Sequence, residues 1–209
     1  MDDIVAIALF RHGMTIENER QAYLGWSDSP LVADQLLPKI QDCFEHIYTS
    51  DLGRCRETAK VLFPKKMPEV LPDLREIHFG DWEGKKYEQL KYEDSYKKWL
   101  SRPFKESPPN GESFDDFTCR VKNAWEKISR NVIEHQTQSA AVVTHGGVIR
   151  YLLTQYAPED RDFWDWRIPY GRGYQLTWSR EGLRRKERCI SLQEVPLMAN
   201  QSGSRSNII

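Results

Sequence analysis

Residues 4–10, IVAIALF, are continuously apolar and rich in β-branched side chains, and the run stops at Arg11-His12-Gly13. An apolar run without alternation, ended by polar residues, is the pattern of a strand buried on both faces of a parallel sheet. The same shape recurs in SAAVVTHGG at 139–147 and, more weakly, in HIYTSD at 46–51. Between these runs lie helical patterns: RCRETAKVLF from Arg54, SFDDFTCRVKNAWEKISRNVIEH from Ser113, and VIRYLLTQY after Gly147. In the second of them Phe114, Phe117, Val121, Trp125, Ile128 and Val132 recur at steps of three and four, which is the stripe a helix needs to pack on a sheet. Ser113 with Asp116 three residues later resembles a capping box, with Asp in place of the usual Glu or Gln.

Strands alternating with helices predict an α/β three-layer sandwich, a mainly parallel central sheet flanked by helices. Ligands in such sheets sit beyond the carboxyl ends of the strands, which is where His12 and His145 both fall. The polar stretch 86–112, ending in RPFKESPPNGE, reads as helical pieces plus loop over one edge. No internal repeat is visible. A chain of 209 residues suits one domain with a full core. That domain is placed at 1–197, and the small polar residues from 198 onward are expected to fray.

Composition narrows the function classes. The charged fraction is 29% against 39% hydrophobic, as in a globular protein, and no apolar run approaches the length of a membrane helix. MDDIVAIALF carries two acids where a secretory signal would carry basic residues, so a cytoplasmic location is expected. Cys43, Cys55, Cys119 and Cys189 form no CxxC pair and are read as reduced, mostly packing thiols. With Lys+Arg 30 against Asp+Glu 31 there is no electrostatic reason to expect nucleic acid, and any anion site must be local. The densest basic cluster, GLRRKERC at 182–189, is read as a solvated strand edge. The expected partner is a small-molecule phosphomonoester, with neither nucleic acid nor membrane. A second copy of the chain, forming a homodimer, is the one protein partner considered.

Arg11-His12-Gly13 carries candidate chemistry. A histidine at the mouth of a buried strand, beside a glycine that permits close backbone approach, is able to face a phosphate with one ring nitrogen. The neighbouring arginine offers a planar fork that matches phosphate oxygens. Taken alone, the tripeptide reads equally well as a strand-end histidine bonded to a neighbouring carbonyl. Further blocks decide between the two. FRHGMTIEN, GWSDSPL, YTSDLGRCRETA, LREIHFGDWEG, NGESFDDFTCRV and VVTHGGVIR follow in the order seen in the histidine phosphatase superfamily. The chain resembles the branch of that family holding phosphoglycerate mutases and bacterial broad-specificity or α-ribazole-type phosphatases, from about Ile4 to Trp178. The resemblance implies that His12 is the nucleophile and that Arg11, Arg54 and His145 surround the phosphoryl group, with Asn18 and the Gly146 amide as further donors. It also implies that Glu76 is the proton donor, with no metal and no cofactor. Two guanidinium groups and an imidazole spread over the equatorial oxygens would take the place of a metal. Asp81 and Glu83 compete with Glu76 but are read as exposed ion-pair formers. Arg56, two residues beyond Arg54 on a helix, is expected to point elsewhere, and His46, His78 and His135 are assigned to the surface or to supporting roles.

Two stretches depart from the family. VADQLLPKI replaces the usual start of the first crossover helix, and Pro38 would break an ordinary helix, so that crossover is expected to be short or distorted and away from the pocket. PYGRGYQL at 169–176 replaces the commoner asparagine-glycine pattern. Two other functions are weighed against a hydrolase. A mutase would need extra basic residues in a long insertion after the acid block, whereas 85–112 is short and mixes both signs. A non-catalytic phosphate-binding module would be marked by loss of His12 or Glu76, and both are present.

Overall fold

A computed structural model of the chain describes residues 3–38, 40 and 44–196. The three apolar runs are strands: β1 (Ile4–Arg11), β2 (His46–Thr49) and β4 (Ser139–Thr144). With the short β3 (Glu69–Val70), β5 (Gly173–Ser179) and β6 (Ser191–Val195), they form one sheet in the order β3-β2-β4-β1-β5-β6. The pairs β1–β4, β2–β4 and β2–β3 are parallel. Only β5 runs against its neighbours β1 and β6, so the sheet is mainly parallel as expected.

Burial on both faces gives the unbroken apolar runs their cause, and the side chains divide by the period of two. Val5, Ile7, Leu9, Ala140 and Val142 join one core, packed under α5 (Phe114–Glu134) and α6 (Gly146–Tyr156). Ala8, Phe10, Ala141 and Val143 face the other way, onto Cys55, Ala59 and Leu62 of α2 (Gly53–Leu62). The expected stripe of α5 is buried from Phe117 to Val132, with Phe114 half-buried at its start. The Ser113 hydroxyl caps the helix, accepting from the Asp116 amide at 3.1 Å and donating to the Asp116 carboxylate at 2.6 Å. Short helices complete the chain: α1 (Ile16–Glu19), α3 (Tyr87–Leu90), α4 (Asp94–Ser101) and α7 (Arg180–Arg184). Among the described residues no helix is long and apolar enough to cross a membrane.

Three sequence expectations need correction. The stretch 86–112 holds the expected helical pieces, α3 and α4, but is more than a covering over one edge. Leu90, Tyr96 and Trp99 build a small core with Trp82, against Tyr23 and Phe79, and Trp99, Leu100, Pro103 and Phe104 line a cavity that also contains Glu76. The basic cluster 182–189 is no strand edge. It belongs to α7 and the turn after it, where Arg184, Arg185, Lys186 and Arg188 each pair with a carboxylate. The replaced crossover is indeed non-helical over its described residues, but it does not lie away from the site. The Gln35 side chain accepts from the Met14 amide at 2.8 Å and donates to the Met14 carbonyl at 2.9 Å. It fills the space above Gly13, where a β-carbon would come within 2.6 Å of it. Cys55 and Cys189 are buried free thiols, whereas Cys119 is exposed. Cys43 and the tail from 198 lie outside the described residues.

Candidate active site

The carboxyl ends of adjacent strands β1 and β4 meet through the His12 amide, which donates to the Thr144 carbonyl at 2.9 Å. This sets His12 and His145 side by side, with ring centroids 5.2 Å apart, both buried. His12 Nδ1 lies 2.6 Å from the Gly13 carbonyl oxygen. A carbonyl only accepts, so Nδ1 carries the proton and the neutral ring keeps its lone pair on Nε2. The strand-end carbonyl contact considered for an isolated histidine is therefore present, and the same contact would orient a nucleophile. Burial, reinforced by the charges of Arg54 and Arg11, pushes His12 well below the ordinary imidazole range. Burial, then Arg54 and His12, does the same to His145. Both rings are neutral near pH 7.

Arg54, fully buried on the first turn of α2, donates Nη1 to the Ser27 carbonyl at 2.8 Å and Nη2 to the Gly25 carbonyl at 2.6 Å. Asp28 lies 3.7 Å away, so the ion pair is long and its carboxylate half-exposed. Arg11 donates to the Ile168 carbonyl at 2.8 Å and lies with Cζ 3.7 Å from the centre of the Tyr170 ring. The Nε atoms of Arg11 and Arg54 are both buried without an acceptor among the described residues. Buried charged donors of this kind call for anionic oxygens. Burial lowers both guanidinium groups, and the Glu76 charge opposes that at each. Arg56, as expected, is exposed.

The remaining donors come from helix starts. Asn18 closes a capping box in which its side-chain oxygen accepts from the Thr15 amide and hydroxyl. That fixes the amide flip and leaves Nδ2 as the donor toward a cavity of about 360 Å³ shared with Arg11, Glu76 and Tyr170. Gly146 is the first residue of α6, so its amide points out of a helix N-terminus. The next amide, of Gly147, donates to Glu76 Oε2 at 2.9 Å, while Glu76 Oε1 accepts from the Ile77 amide at 3.0 Å. A β-carbon on Gly147 would lie 2.2 Å from Glu76 Oε1, so only glycine lets the helix hold the acid so closely. Each carboxylate oxygen retains a second lone pair for chemistry.

All seven residues singled out from the sequence thus converge on one place. What holds them there was not singled out. Arg120 of α5 grips Glu112 in a fork, at 2.7 Å through both Nε and Nη2, and donates to the carbonyls of Arg75 at 2.6 Å and Glu76 at 2.8 Å. It thereby fixes the segment that presents Glu76, which accounts for the block NGESFDDFTCRV. Glu83 is not the exposed ion-pair former expected: it is half-buried and accepts from the amides of Trp26 at 2.7 Å and Ser27 at 2.5 Å. Burial works against its charge, yet bonds from Ser27 and the Trp26 amide outweigh this and hold it below the usual carboxylate range. Glu83 thus shapes the loop whose carbonyls grip Arg54. Glu83 Oε1 also lies 3.5 Å from His78 Nε2, and Asp81, which is exposed, accepts from the Asn110 side-chain amide and enters no ion pair among the described residues. Tyr170 is placed by backbone bonds, the Gly171 amide donating to the carbonyls of Arg11 and His12. Among the described residues no group of three or more His, Cys, Asp or Glu side chains is placed to hold a metal ion.

The histidine phosphatase superfamily (branch 1) model matches residues 7–189. An adenosylcobalamin/α-ribazole phosphatase of Salmonella typhimurium is 33% identical over 175 residues, covering 78% of this chain and 85% of its own. A protein of Arabidopsis thaliana named metal-independent phosphoserine phosphatase is 32% identical over 165 residues, covering 71% of this chain and 67% of its own. The crystal structure of the α-ribazole phosphatase from Shigella flexneri superposes with a TM-score of 0.74 at 27% identity, covering 82% of this chain and 90% of that one.

Proposed function

Because this chain belongs to the histidine phosphatase superfamily and hydrolyses phosphomonoesters through a phosphohistidine, we propose that His12 is the residue phosphorylated and Glu76 its acid and base. The observation that carries the assignment is the bond from His12 Nδ1 to the Gly13 carbonyl, which presents the Nε2 lone pair beside two buried arginines. The phosphoryl oxygens would rest on Arg11, Arg54, the neutral His145, the Gly146 amide and Asn18 Nδ2. Nε2 attacks phosphorus as the ester oxygen departs, and that oxygen takes a proton from Glu76. In the second step the Glu76 carboxylate takes a proton from water. The resulting oxygen attacks phosphorus, and His12 leaves as the neutral imidazole.

Four of the seven basic residues of 85–112, Lys85, Lys91, Lys97 and Arg102, are matched by Glu93, Glu88, Asp94 and Glu106 of the same stretch, which supports hydrolysis over mutase chemistry. They are not a free cationic wall for a second phosphate. The departing alcohol occupies the cavity of about 380 Å³ on the far side of Glu76, whose walls are largely aromatic. A cytoplasmic location fits the free thiols Cys55, Cys119 and Cys189.

The test is a quenched reaction. Acid-labile, base-stable phosphate should be trapped on the wild-type chain and map to His12, while His12→Ala should fold and lose turnover. Near wild-type turnover by His12→Ala on any good substrate would remove His12 from the mechanism.

A further inference from the structure

Arg150 lies one turn into α6, on the wall of the cavity beside Glu76 and Gly147. Its Nε donates to the Trp166 carbonyl at 3.1 Å and its Cζ lies 5.7 Å from the centre of the Trp164 ring, which leaves both Nη groups, the end of the guanidinium fork, without a hydrogen-bond partner among the described residues. It enters no ion pair among the described residues, although it is half-buried. The other arginines near it are accounted for: Arg120 has Glu112, and Arg11 faces the phosphoryl site. Arg150 Nη1 lies 3.5 Å from the point that a β-carbon on Gly146 would occupy, and Arg11 Cζ lies 3.4 Å from the same point. The two guanidinium groups therefore flank one glycine, one on the phosphoryl side and one on the alcohol side. The remaining walls of the alcohol side are apolar, among them Phe79, Trp99, Phe104, Phe114, Phe163 and Trp164.

A half-buried cation with its fork free, set in an aromatic wall, is poorly solvated and has no carboxylate in ion-pair contact among the described residues. We infer that Arg150 reads the leaving group and selects phosphomonoesters whose alcohol carries a carboxylate on an apolar or aromatic body. The planar fork matches a carboxylate through two parallel N–H bonds, and the low-polarity walls strengthen them. The phosphoryl group itself is held elsewhere, so the contribution of Arg150 depends on the alcohol. This inference rests on the hydrolase reading above.

The experiment compares 3-carboxyphenyl phosphate with 3-carbamoylphenyl phosphate, two aryl esters of nearly equal shape that differ by one charge. The wild-type enzyme should favour the carboxylate by about 10–100-fold in kcat/KM, the range of one charge-assisted pair. Arg150→Gln should collapse that ratio toward one, and Arg150→Glu should carry it below one, in favour of the neutral ester. No charge preference in the wild type would overturn the inference. So would an equal loss on both esters in Arg150→Gln, which would make Arg150 a phosphoryl ligand or a mere tie to Trp166. Hydrolysis of the neutral ester that vanishes in His12→Ala would leave the hydrolase reading standing in either case.

Discussion

On one side of Glu76 the site is made of strand ends and helix starts; on the other it is made of aromatic side chains. The phosphoryl side is drawn together by backbone: the His12 amide on the Thr144 carbonyl, the Gly13 carbonyl on the His12 ring, and the Gly25 and Ser27 carbonyls on Arg54. Its charges are buried and their geometry is fixed before any substrate arrives, as a transition state rich in negative charge requires. The alcohol side depends on ring contacts such as Phe104 with Phe163 at 5.7 Å and Phe114 with Phe163 at 5.6 Å, from segments distant in sequence. Several of its members, including Phe104 and Trp164, are exposed. The first surface suits one chemical group, and the second suits a family of shapes. Substitutions on the two sides should therefore fail differently.

The largest effect is expected from Arg54→Met, which removes a preorganised cation while keeping an apolar stem. Phosphorylation of His12 should fall by about 10³–10⁵-fold, the range of an arginine acting on a transferring phosphoryl group. The loss should be the same for every ester if Arg54 holds the phosphoryl group, as proposed, and not the alcohol. Single-turnover rates on an alkyl and an aryl ester check both points. A loss that varies with the alcohol would break the division between the two sides.

Glu76 stands on the boundary, so its variant should show a mixed response. Glu76→Gln should slow phosphorylation by an alkyl ester by roughly 10²–10⁴-fold, since an alkoxide needs the proton. With p-nitrophenyl phosphate the leaving group is stable unprotonated, and the burst of p-nitrophenol should lose far less. Equal losses in the burst would move the acid role elsewhere. Asp81 is tied to Asn110 and Glu83 to the 26–27 amides, so neither is free to take it over.

The same division explains what could be read in the sequence. Strand ends announce themselves, because an apolar run that stops at Arg-His-Gly or Thr-His-Gly marks both the element and the point where a ligand sits. Arg11, His12 and His145 were legible for that reason, and Arg54, Glu76, Asn18 and the Gly146 amide through ordered blocks of family resemblance. Arg120 and Glu83 were not, since a charged residue on a helix face or in a loop looks the same whether it grips backbone carbonyls or faces water. Tyr170 escaped because its contact with Arg11 is made by bonds from the following glycine, in the stretch where the chain departs from its relatives. Gln35 escaped similarly: the loss of a regular crossover helix suggested a segment remote from the site, whereas the irregular chain drapes back over Gly13. The aromatic cavity carries no periodicity of its own, so 86–112 read as helical pieces plus loop over one edge, with no sign of the pocket they wall.

Proton binding tests how rigid the phosphoryl side is. His12 and His145 both have folded-state values pushed below the ordinary 6.5, chiefly by burial and next by Arg54. A depressed histidine favours the folded state fully above the unfolded value and loses that contribution as pH falls from about 6.5 toward the folded one. Between those limits stability should fall with decreasing pH by up to about 1.4 kcal/mol per pH unit for each histidine. Urea midpoints from pH 7 to 5 measure this, and His145→Asn should make the slope shallower. Ring C2–H signals should titrate below 6.5 in the free enzyme and move upward in Arg54→Gln. Ordinary titration of both rings near 6.5 would mean that the phosphoryl side admits water.

The smallest effect should come from the alcohol side, and its size is the point. Phe104 touches Phe114, Phe163 and Trp164 but is itself 44% exposed, so Phe104→Ala removes a wall without emptying the core. An aromatic contact is worth about 0.5–1.5 kcal/mol beyond its area, so kcat/KM for a bulky ester such as 1-naphthyl phosphate should fall by roughly 3–10-fold. The change should lie in KM, because the wall touches ground state and transition state alike. Glycerol 2-phosphate, too small to reach the ring, should be turned over as before. A matching loss on the small ester would mean that Phe104 acts through Glu76 or α6, and the two sides of the site would then be mechanically one.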